Sequence, residues 1–406
     1  MIYISRTLEG LLYKPEFQFP VTLLTGPRQV GKTTLLRHAA AQDRTYVTLD
    51  DPLLATLARE EPALFLQRFP APVLIDEIQY APQLLPHIKM EVDRDRTPGR
   101  FWLTGSQQFH LMQGVSESLA GRVGVLRLLG FSQRELEGDA AAGPFLPTGA
   151  CLAARDSSPP LSLPRLYERI WRGSFPALWG DTPVDRDLFY SSYVQTYLQR
   201  DVSSLAQVGD TGTFLRFLRA CAARTAQLLN LQDLCRDADI APATGKRWLS
   251  ILEGSGIVHL LEPYHTNLTL RLVKTPKLYF LDTGLAAWLT AWSSPATLEA
   301  GSSSGAILET WAVAEVLKSW WHHSRQPPVF FYRDKDKKEI DLLIRVDGTL
   351  HPVEVKKTAA PDHRAFGHFR TLDRLALTVG PGCVLCLSSM RLPLSASVEA
   401  VPMSLL

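Results

Sequence analysis

Cysteine is scarce in this chain of 406 residues. There are five, an odd number at irregular spacing, which argues against a disulfide framework and for reduced thiols in a cytosolic protein. Charge of one sign is lacking too. The formal net charge is +2, so a nucleic-acid contact has to come from a local basic patch, not from the average composition. No apolar run reaches the length of a membrane-spanning helix, because the uncharged stretch Leu375–Met390 is broken by Gly380, Pro381 and Gly382. The opening residues, MIYISRTLEG, lack the apolar stretch of a signal peptide. A cytoplasmic protein with no membrane partner is expected. What is present is ordinary: 46% hydrophobic and 21% charged residues, in a length that suits two or three domains. Cys383 and Cys386 form a C-x-x-C inside the apolar run Gly382–Leu387, with no second pair to complete a zinc site, so both are expected in a core.

One stretch stands out against that background. Gly26–Thr33 reads GPRQVGKT, between the apolar run Val21–Leu24 and the periodic segment Thr34–Ala40. Its glycines let the backbone fold tightly so that successive N–H groups face an anion, and the helix that follows points its positive end at the same place. The spacing predicts a phosphate-binding loop in which Gly26, Pro27, Arg28, Gln29, Val30, Gly31, Lys32, Thr33 and Thr34 surround the phosphates of ATP. Lys32 is expected to reach the β- and γ-phosphates. The Thr33 hydroxyl is expected to complete the coordination of Mg2+.

From Val21 to about Glu135, apolar runs alternate with helical segments, the pattern of a parallel α/β sheet. The runs are Val21–Leu24, Thr45–Leu49, Val73–Ile75, Phe101–Leu103 and Val123–Leu128. The third is followed at once by Asp76 and Glu77. A carboxylate at that strand end can hold magnesium through its water shell, and the next acid can polarise an attacking water. The run Phe101–Leu103 leads into Thr104-Gly105-Ser106-Gln107, where Ser106 is a candidate γ-phosphate sensor, with a plain Gly-Ser turn as the alternative. Arg122, on a glycine turn before the last run, is a candidate arginine finger acting in cis or from a neighbouring subunit of an oligomer. The alternative is a surface arginine.

Residues 139–165 change character. Alanine, glycine, proline and serine dominate without periodicity, which reads as a linker or a long irregular loop. Beyond it, Tyr190–Val202 has the spacing of a helix packed on a core. Leu231–Arg236, a turn, and Ala243–Glu253 have the lengths of a helix-turn-helix, and Gly254-Ser255-Gly256 stops the second helix. The apolar runs Ile257–Leu261 and Lys277–Leu281 would then close a wing. Lys246 and Arg247 fall on the recognition helix of such a module, and Arg271, Lys274 and Lys277 in its wing, as candidate DNA contacts. Winged helices also dock proteins, so this pattern alone leaves the partner open.

The last hundred residues hold a second constellation. Ala306–Lys318 is an amphipathic helix with Glu309 near its start. Strands are expected at Val329–Tyr332, Ile340–Val346 and Pro352–Val355, the last two joined by the hairpin turn Asp347-Gly348. Strand alternation puts Glu354 and Lys356 on one side, where Asp341 of the adjoining strand can face them. Glu309, Asp341 and Glu354 are candidate metal ligands, and Lys356 a candidate to position or deprotonate a water, as in metal-dependent cleavage of a phosphodiester. Charged residues on a solvated hairpin are the alternative.

Taken together, the motifs resemble the bacterial and archaeal AAA-type ATPases, related to the archaeal ATPase group, that carry a C-terminal domain of unknown function similar to PD-(D/E)xK nucleases. The resemblance rests on GPRQVGKTTLL, LDDP at Leu49–Pro52, VLIDEIQ, LTGSQ, SLAGRV, GSFPAL from Gly173, TYLQRDV from Thr196, KLYFLDTGL from Lys277 and EIDLLI…VEVKKT over Glu339–Thr358. Gln107 departs from the pattern, standing where a second serine is expected. The resemblance implies a P-loop α/β ATPase domain over residues 1–138, the linker at 139–165, a helical and winged-helix domain over 166–295, and a restriction-endonuclease-like α/β domain over 296–406. The two-part nucleotide site, combined with two modules of kinds commonly used on nucleic acid, leads us to expect hydrolysis of ATP with Mg2+ and DNA as partner. The alternative is a nucleotide-gated switch whose C-terminal domain only binds DNA or a protein.

Overall fold

Each of the five N-terminal apolar runs is too short for a helix, and each becomes a strand: β1 Val21–Thr25, β2 Thr45–Thr48, β3 Val73–Asp76, β4 Phe101–Gly105 and β5 Val123–Arg127. They form one parallel sheet in the order β2-β3-β4-β1-β5. β1 is buried along its whole length, as a central parallel strand covered on both faces should be. The structure is a computed structural model that describes residues 3–14, 18–105, 114–115, 117–156, 160–197, 211–264, 275–375 and 377–406. Among the described residues no helix is long and apolar enough to cross a membrane.

The middle of the chain runs in the order helix Thr211–Ala223, β6 Gln227–Leu228, helix Leu231–Ala238, helix Pro242–Gly254, β7 Val258–Leu261 and β8 Lys277–Phe280. The three strands form an antiparallel sheet with β8 in the centre. Trp248, from the third helix, packs edge-on against Phe214 and Phe217 of the first, which fixes the helices over the sheet.

The C-terminal part is organised around the helix Ser304–Trp321, most of which is buried. It lies against a mixed sheet built from β9 Val329–Arg333, β10 Glu339–Val346, β11 Thr349–Val355, β12 Thr378–Val379, β13 Gly382–Cys386, β14 Leu392–Pro393 and β15 Val398–Pro402. The Asp347-Gly348 hairpin turn joins β10 to β11, and both its residues have positive φ (49° and 78°), as the tight antiparallel connection requires. Cys383 and Cys386 are buried in β13, in the core where the sequence puts them.

Of the two readings of residues 139–165, the described part fits an irregular loop with one short helix, Gly149–Ala153, packed onto the fold. Phe145 and Leu152 are fully buried, and Arg155, 2% exposed, donates to the carbonyls of Leu405 and Leu406 at 3.0 and 3.2 Å. The segment straps the end of the chain to the helix Ser304–Trp321, whose Ser319 hydroxyl accepts from the Phe145 N–H at 3.0 Å. Low periodicity is what a strap made of turns looks like in sequence, and composition alone does not reveal its three buried anchors.

The long helix also satisfies the backbone that follows β5. Its Glu315 accepts from the Gln133 N–H at 2.7 Å, Lys318 donates to the Phe131 carbonyl at 3.0 Å, and His322 Nε2 accepts from the Leu129 N–H at 3.2 Å. Because Nε2 accepts, the His322 ring is neutral and its other nitrogen, 3.3 Å from Glu135, carries the proton. Burial lowers the pKa of His322, against the pull of Glu135. The folded protein therefore binds fewer protons here than the unfolded chain just below the ordinary histidine pKa, and this stability is lost as pH falls. Replacing His322 by Gln is expected to destabilise the protein at pH 7.5, with the gap from wild type narrowing at pH 5. Denaturant melts of both proteins at the two pH values check it; a gap that widens on acidification contradicts the assignment.

Candidate functional site

The turn after β1 is shaped by its glycines. Gly26 has φ 147°, and a Cβ there would lie 1.9 Å from the carbonyl oxygen of Leu128, so no side chain fits between β1 and the end of β5. Gly31, at φ 89°, is the residue before the helix Lys32–Ala39, which aims its amino end back at the loop. Pro27 and Val30 are buried, Gln29 and Thr34 are exposed, and Arg28 is half-buried. Lys32 is buried, with its ammonium turned onto the loop's own carbonyls, 3.0 Å from Gly26 O and 2.7 Å from Pro27 O. A bound phosphate would compete for that ammonium.

β3 lies two strands from β1, and its last residue, Asp76, reaches the loop. Thr33 Oγ1 donates to Asp76 Oδ1 at 2.8 Å, and Tyr46 from β2 donates to Oδ2 at 3.0 Å. The Thr104 hydroxyl at the end of β4 donates to Oδ1 as well, and accepts from the Glu77 N–H at 3.0 Å. One hydroxyl thus fixes both acids. Glu77 sits in a left-handed conformation (φ 59°) that turns it out of the strand, and its carboxylate accepts from the Gln79 side chain. The hydroxyl and carboxylate of Thr33 and Asp76 fit a magnesium ion that brings its remaining ligands as water and phosphate oxygens. Tyr46 and Thr104 are contributors that motif reading misses. Thr104 stands inside the LTGSQ segment, two residues before the candidate serine, and Tyr46 carries no sequence signal.

Ser106 lies outside the described residues, as do Arg271 and Lys274. Arg122 is placed well, and it corrects the expectation of a finger in cis. It precedes β5, whose first residue pairs with Val21 at the start of β1, so it sits at the amino end of the sheet while the phosphate loop leaves the carboxyl end. Five residues of strand separate them, roughly 15 Å. There Arg122 makes a two-pronged ion pair with Asp93, at 2.6 and 3.0 Å. The arginine beside the loop is Arg127, the last residue of β5, across from Thr25. Its guanidinium stacks 3.9 Å over the ring of Trp321, and burial lowers its pKa to about 10 against the charge of Glu253.

The second constellation does come together. Extending the β10–β11 register puts Asp341 opposite Glu354, next to an irregularity between Ile340 and Leu343. Asp341 Oδ2 accepts from the Val355 N–H at 2.9 Å, and Lys356 donates to Glu354 Oε1 at 2.6 Å. Glu309 arrives from the long helix. The sequence places Lys277 in a DNA-binding wing, and this expectation is overturned. Lys277 is 2% exposed and its ammonium lies 3.0 Å from Glu309, 2.5 Å from Glu339 and 3.8 Å from Asp341. Tyr279, two residues on and on the same face of β8, donates to Glu309 at 2.6 Å. Burial and the Asp341 charge raise the pKa of Glu309 to about 7 and of Glu354 to about 8. Burial opposes the charge of Lys277, but the surrounding acids outweigh it and hold the ammonium protonated.

That set does not fit a divalent metal, which corrects the expectation for Glu309, Asp341 and Glu354. The carboxylate oxygens that converge already face a lysine, a phenol or a backbone N–H. Among the described residues no group of three or more acids, histidines or cysteines is arranged to hold a metal ion. Lys246 and Arg247 are exposed on the helix Pro242–Gly254, as a DNA contact requires.

The loop, the Asp76 strand end and the sheet order together define a P-loop ATPase domain of AAA type. Residues 18–137 match the AAA domain family model, residues 163–296 a domain of unknown function (DUF8612), and residues 304–406 a domain of unknown function (DUF4143). The chain is 32% identical, over 99% of its length and 84% of theirs, to the uncharacterized protein Rv2008c of Mycobacterium tuberculosis and the uncharacterized protein Mb2031c of Mycobacterium bovis. It belongs to one family with them. Two solved structures are similar at a low level. One is a RuvB variant of Thermotoga maritima, with TM-score 0.25 and 18% identity over 63% of this chain and 86% of that one. The other is a Vibrio cholerae protein, with TM-score 0.16 and 12% identity over 92% and 90%. At those scores neither carries an argument about this chain.

Proposed function

We propose that the protein hydrolyses ATP at the Gly26–Thr33 loop and couples the hydrolysis to engagement of DNA by its middle module. The observation that carries the first half is the Asp76 carboxylate, held by Thr33, Tyr46 and Thr104 at the mouth of the loop with Glu77 beside it. Magnesium, when bound there, neutralises charge on the phosphates. The chain's own groups do the rest. Loop N–H groups and Lys32 hold the phosphates, Thr33 and Asp76 set the position of the ion, and Glu77 takes a proton from the attacking water.

The second half is supported by the order helix, strand, helix, helix, strand, strand of the middle module, which suits a winged helix. The helix Pro242–Gly254 presents Lys246 and Arg247 to solvent as the recognition helix would. Arg122, paired with Asp93 at the far end of the sheet, is too distant from its own loop, so an arginine finger belongs to this proposal only in trans. Cleavage at Asp341, Glu354 and Lys356 is not part of it. Fluorescence anisotropy with a labelled duplex tests the DNA half. Replacing Lys246 and Arg247 together by alanine is expected to weaken binding and to flatten the plot of log affinity against log salt by up to about 2, near 0.9 for each phosphate no longer neutralised. Wild-type affinity and slope in the double variant would remove this helix from the interface.

A further inference from the structure

We propose that Lys277 supplies, from within the chain, the cation that the carboxylate cluster of the C-terminal sheet would otherwise draw from solution, and so clasps the middle module onto that sheet. The cluster gathers four acids: Glu309 from the long helix, Glu339 and Asp341 from β10, and Glu354 from β11. A buried group of this sign needs a counter-charge, and a divalent ion is one way to provide it. Here the counter-charge is an ammonium. It is within 3.0 Å of two of the acids and 3.8 Å of a third, and it is buried more deeply than these three.

The lysine does not reach in from a flexible surface. It opens β8, the central strand of the middle sheet, pairing with Leu261 of β7 on one side and Leu228 of β6 on the other. The backbone beyond β7 continues the joint. Tyr264 N–H donates to Phe331 O at 2.7 Å and Phe331 N–H to Glu262 O at 3.1 Å, so the middle sheet covers the edge strand β9. The remaining charges are closed locally, Glu354 by Lys356 at 2.6 Å and Glu339 by Arg333 at 2.7 Å. A compact ammonium with three donors can satisfy several converging carboxylates at once, which a neutral side chain cannot. The C-terminal sheet is therefore a closed electrostatic joint in this arrangement, and Lys277 is the residue that closes it.

The test is Mn2+ binding to the full chain without nucleotide, read by the loss of the free-ion electron paramagnetic resonance signal. Wild type and Asp341→Asn are expected to bind Mn2+ identically, because Asp341 does not ligate an ion while Lys277 is seated. Lys277→Met, apolar and of similar length, is expected to gain one site at least tenfold tighter than any in wild type, and Lys277→Met with Asp341→Asn to lose it. A wild-type site that Asp341→Asn removes overturns the proposal. So does a cooperatively folded Lys277→Met protein that gains no ion. Should Lys277→Met fail to fold, Lys277→Arg keeps the charge: a folded variant with wild-type Mn2+ binding supports the clasp, and a gained Mn2+ site contradicts it.

Discussion

Replacing Lys32 by alanine is expected to lower ATP turnover by about a hundred- to a thousand-fold, the range found when one preorganised donor is taken from developing negative charge. The reason is in the geometry. Lys32 is the only lysine of the loop, it is buried, and its ammonium rests 3.0 and 2.7 Å from the loop carbonyls that flank the phosphate position. Alanine leaves the helix intact, since Lys32 opens it and alanine is a better helix former. The variant should fold and melt like wild type while phosphate release, followed with a coupled assay, falls to near background. Turnover within a few fold of wild type would mean that hydrolysis occurs elsewhere or not at all.

The second large effect concerns stability. Asp282 opens the helix Thr283–Leu289 and receives four donors. Oδ1 takes the Leu285 N–H at 2.7 Å and the Tyr190 hydroxyl at 2.8 Å, and Oδ2 takes the N–H and hydroxyl of Ser174, both at 2.7 Å. Two glycines make room for this knot. A Cβ on Gly173 would lie 2.1 Å from the Tyr190 oxygen, and one on Gly284 2.2 Å from the same atom. Asp282→Ala takes the acceptor from the Leu285 N–H and from the N–H and hydroxyl of Ser174, leaves Tyr190 only the Arg172 carbonyl, and removes the helix cap, for an expected loss of about 3–5 kcal/mol. Asp282→Asn keeps the shape and one acceptor, and should lose less. Chemical denaturation of the two variants checks the order; equal stabilities of Asp282→Ala and wild type would contradict the assignment.

These two sites show what the sequence makes legible. The phosphate loop and the acids after β3 are local patterns, and each short apolar run falls where a strand is found, because strand length and residue spacing are set within a few residues. The GSFPAL and KLYFLDTGL segments carry the resemblance without explaining it. Gly173, Ser174, Asp282 and Gly284 turn out to be one packing knot between distant segments. Lys277 misleads for a related reason. On the sequence it is one of several basic residues near a wing, and only the pairing of β8 with its neighbours, and the arrival of Glu309, Glu339 and Asp341 from beyond residue 300, makes it an internal counter-ion. Arg122 misleads because an arginine on a glycine turn looks like a finger, whereas its place just before β5 puts it at the amino end of the parallel sheet, away from the phosphate loop. The strap at residues 139–165 hides its anchors, since Phe145, Leu152 and Arg155 are too widely spaced to show a period.

The central claim is that Glu77 makes the loop a hydrolytic site and not only a nucleotide holder. A single-turnover measurement with excess protein and ATP, comparing wild type with Glu77→Gln, tests it most directly. The account predicts that Glu77→Gln binds ATP with near wild-type affinity and retains it unhydrolysed while wild type converts it to ADP and phosphate. ATP cleaved by Glu77→Gln at the wild-type rate, or left intact by both proteins with and without DNA, would contradict it.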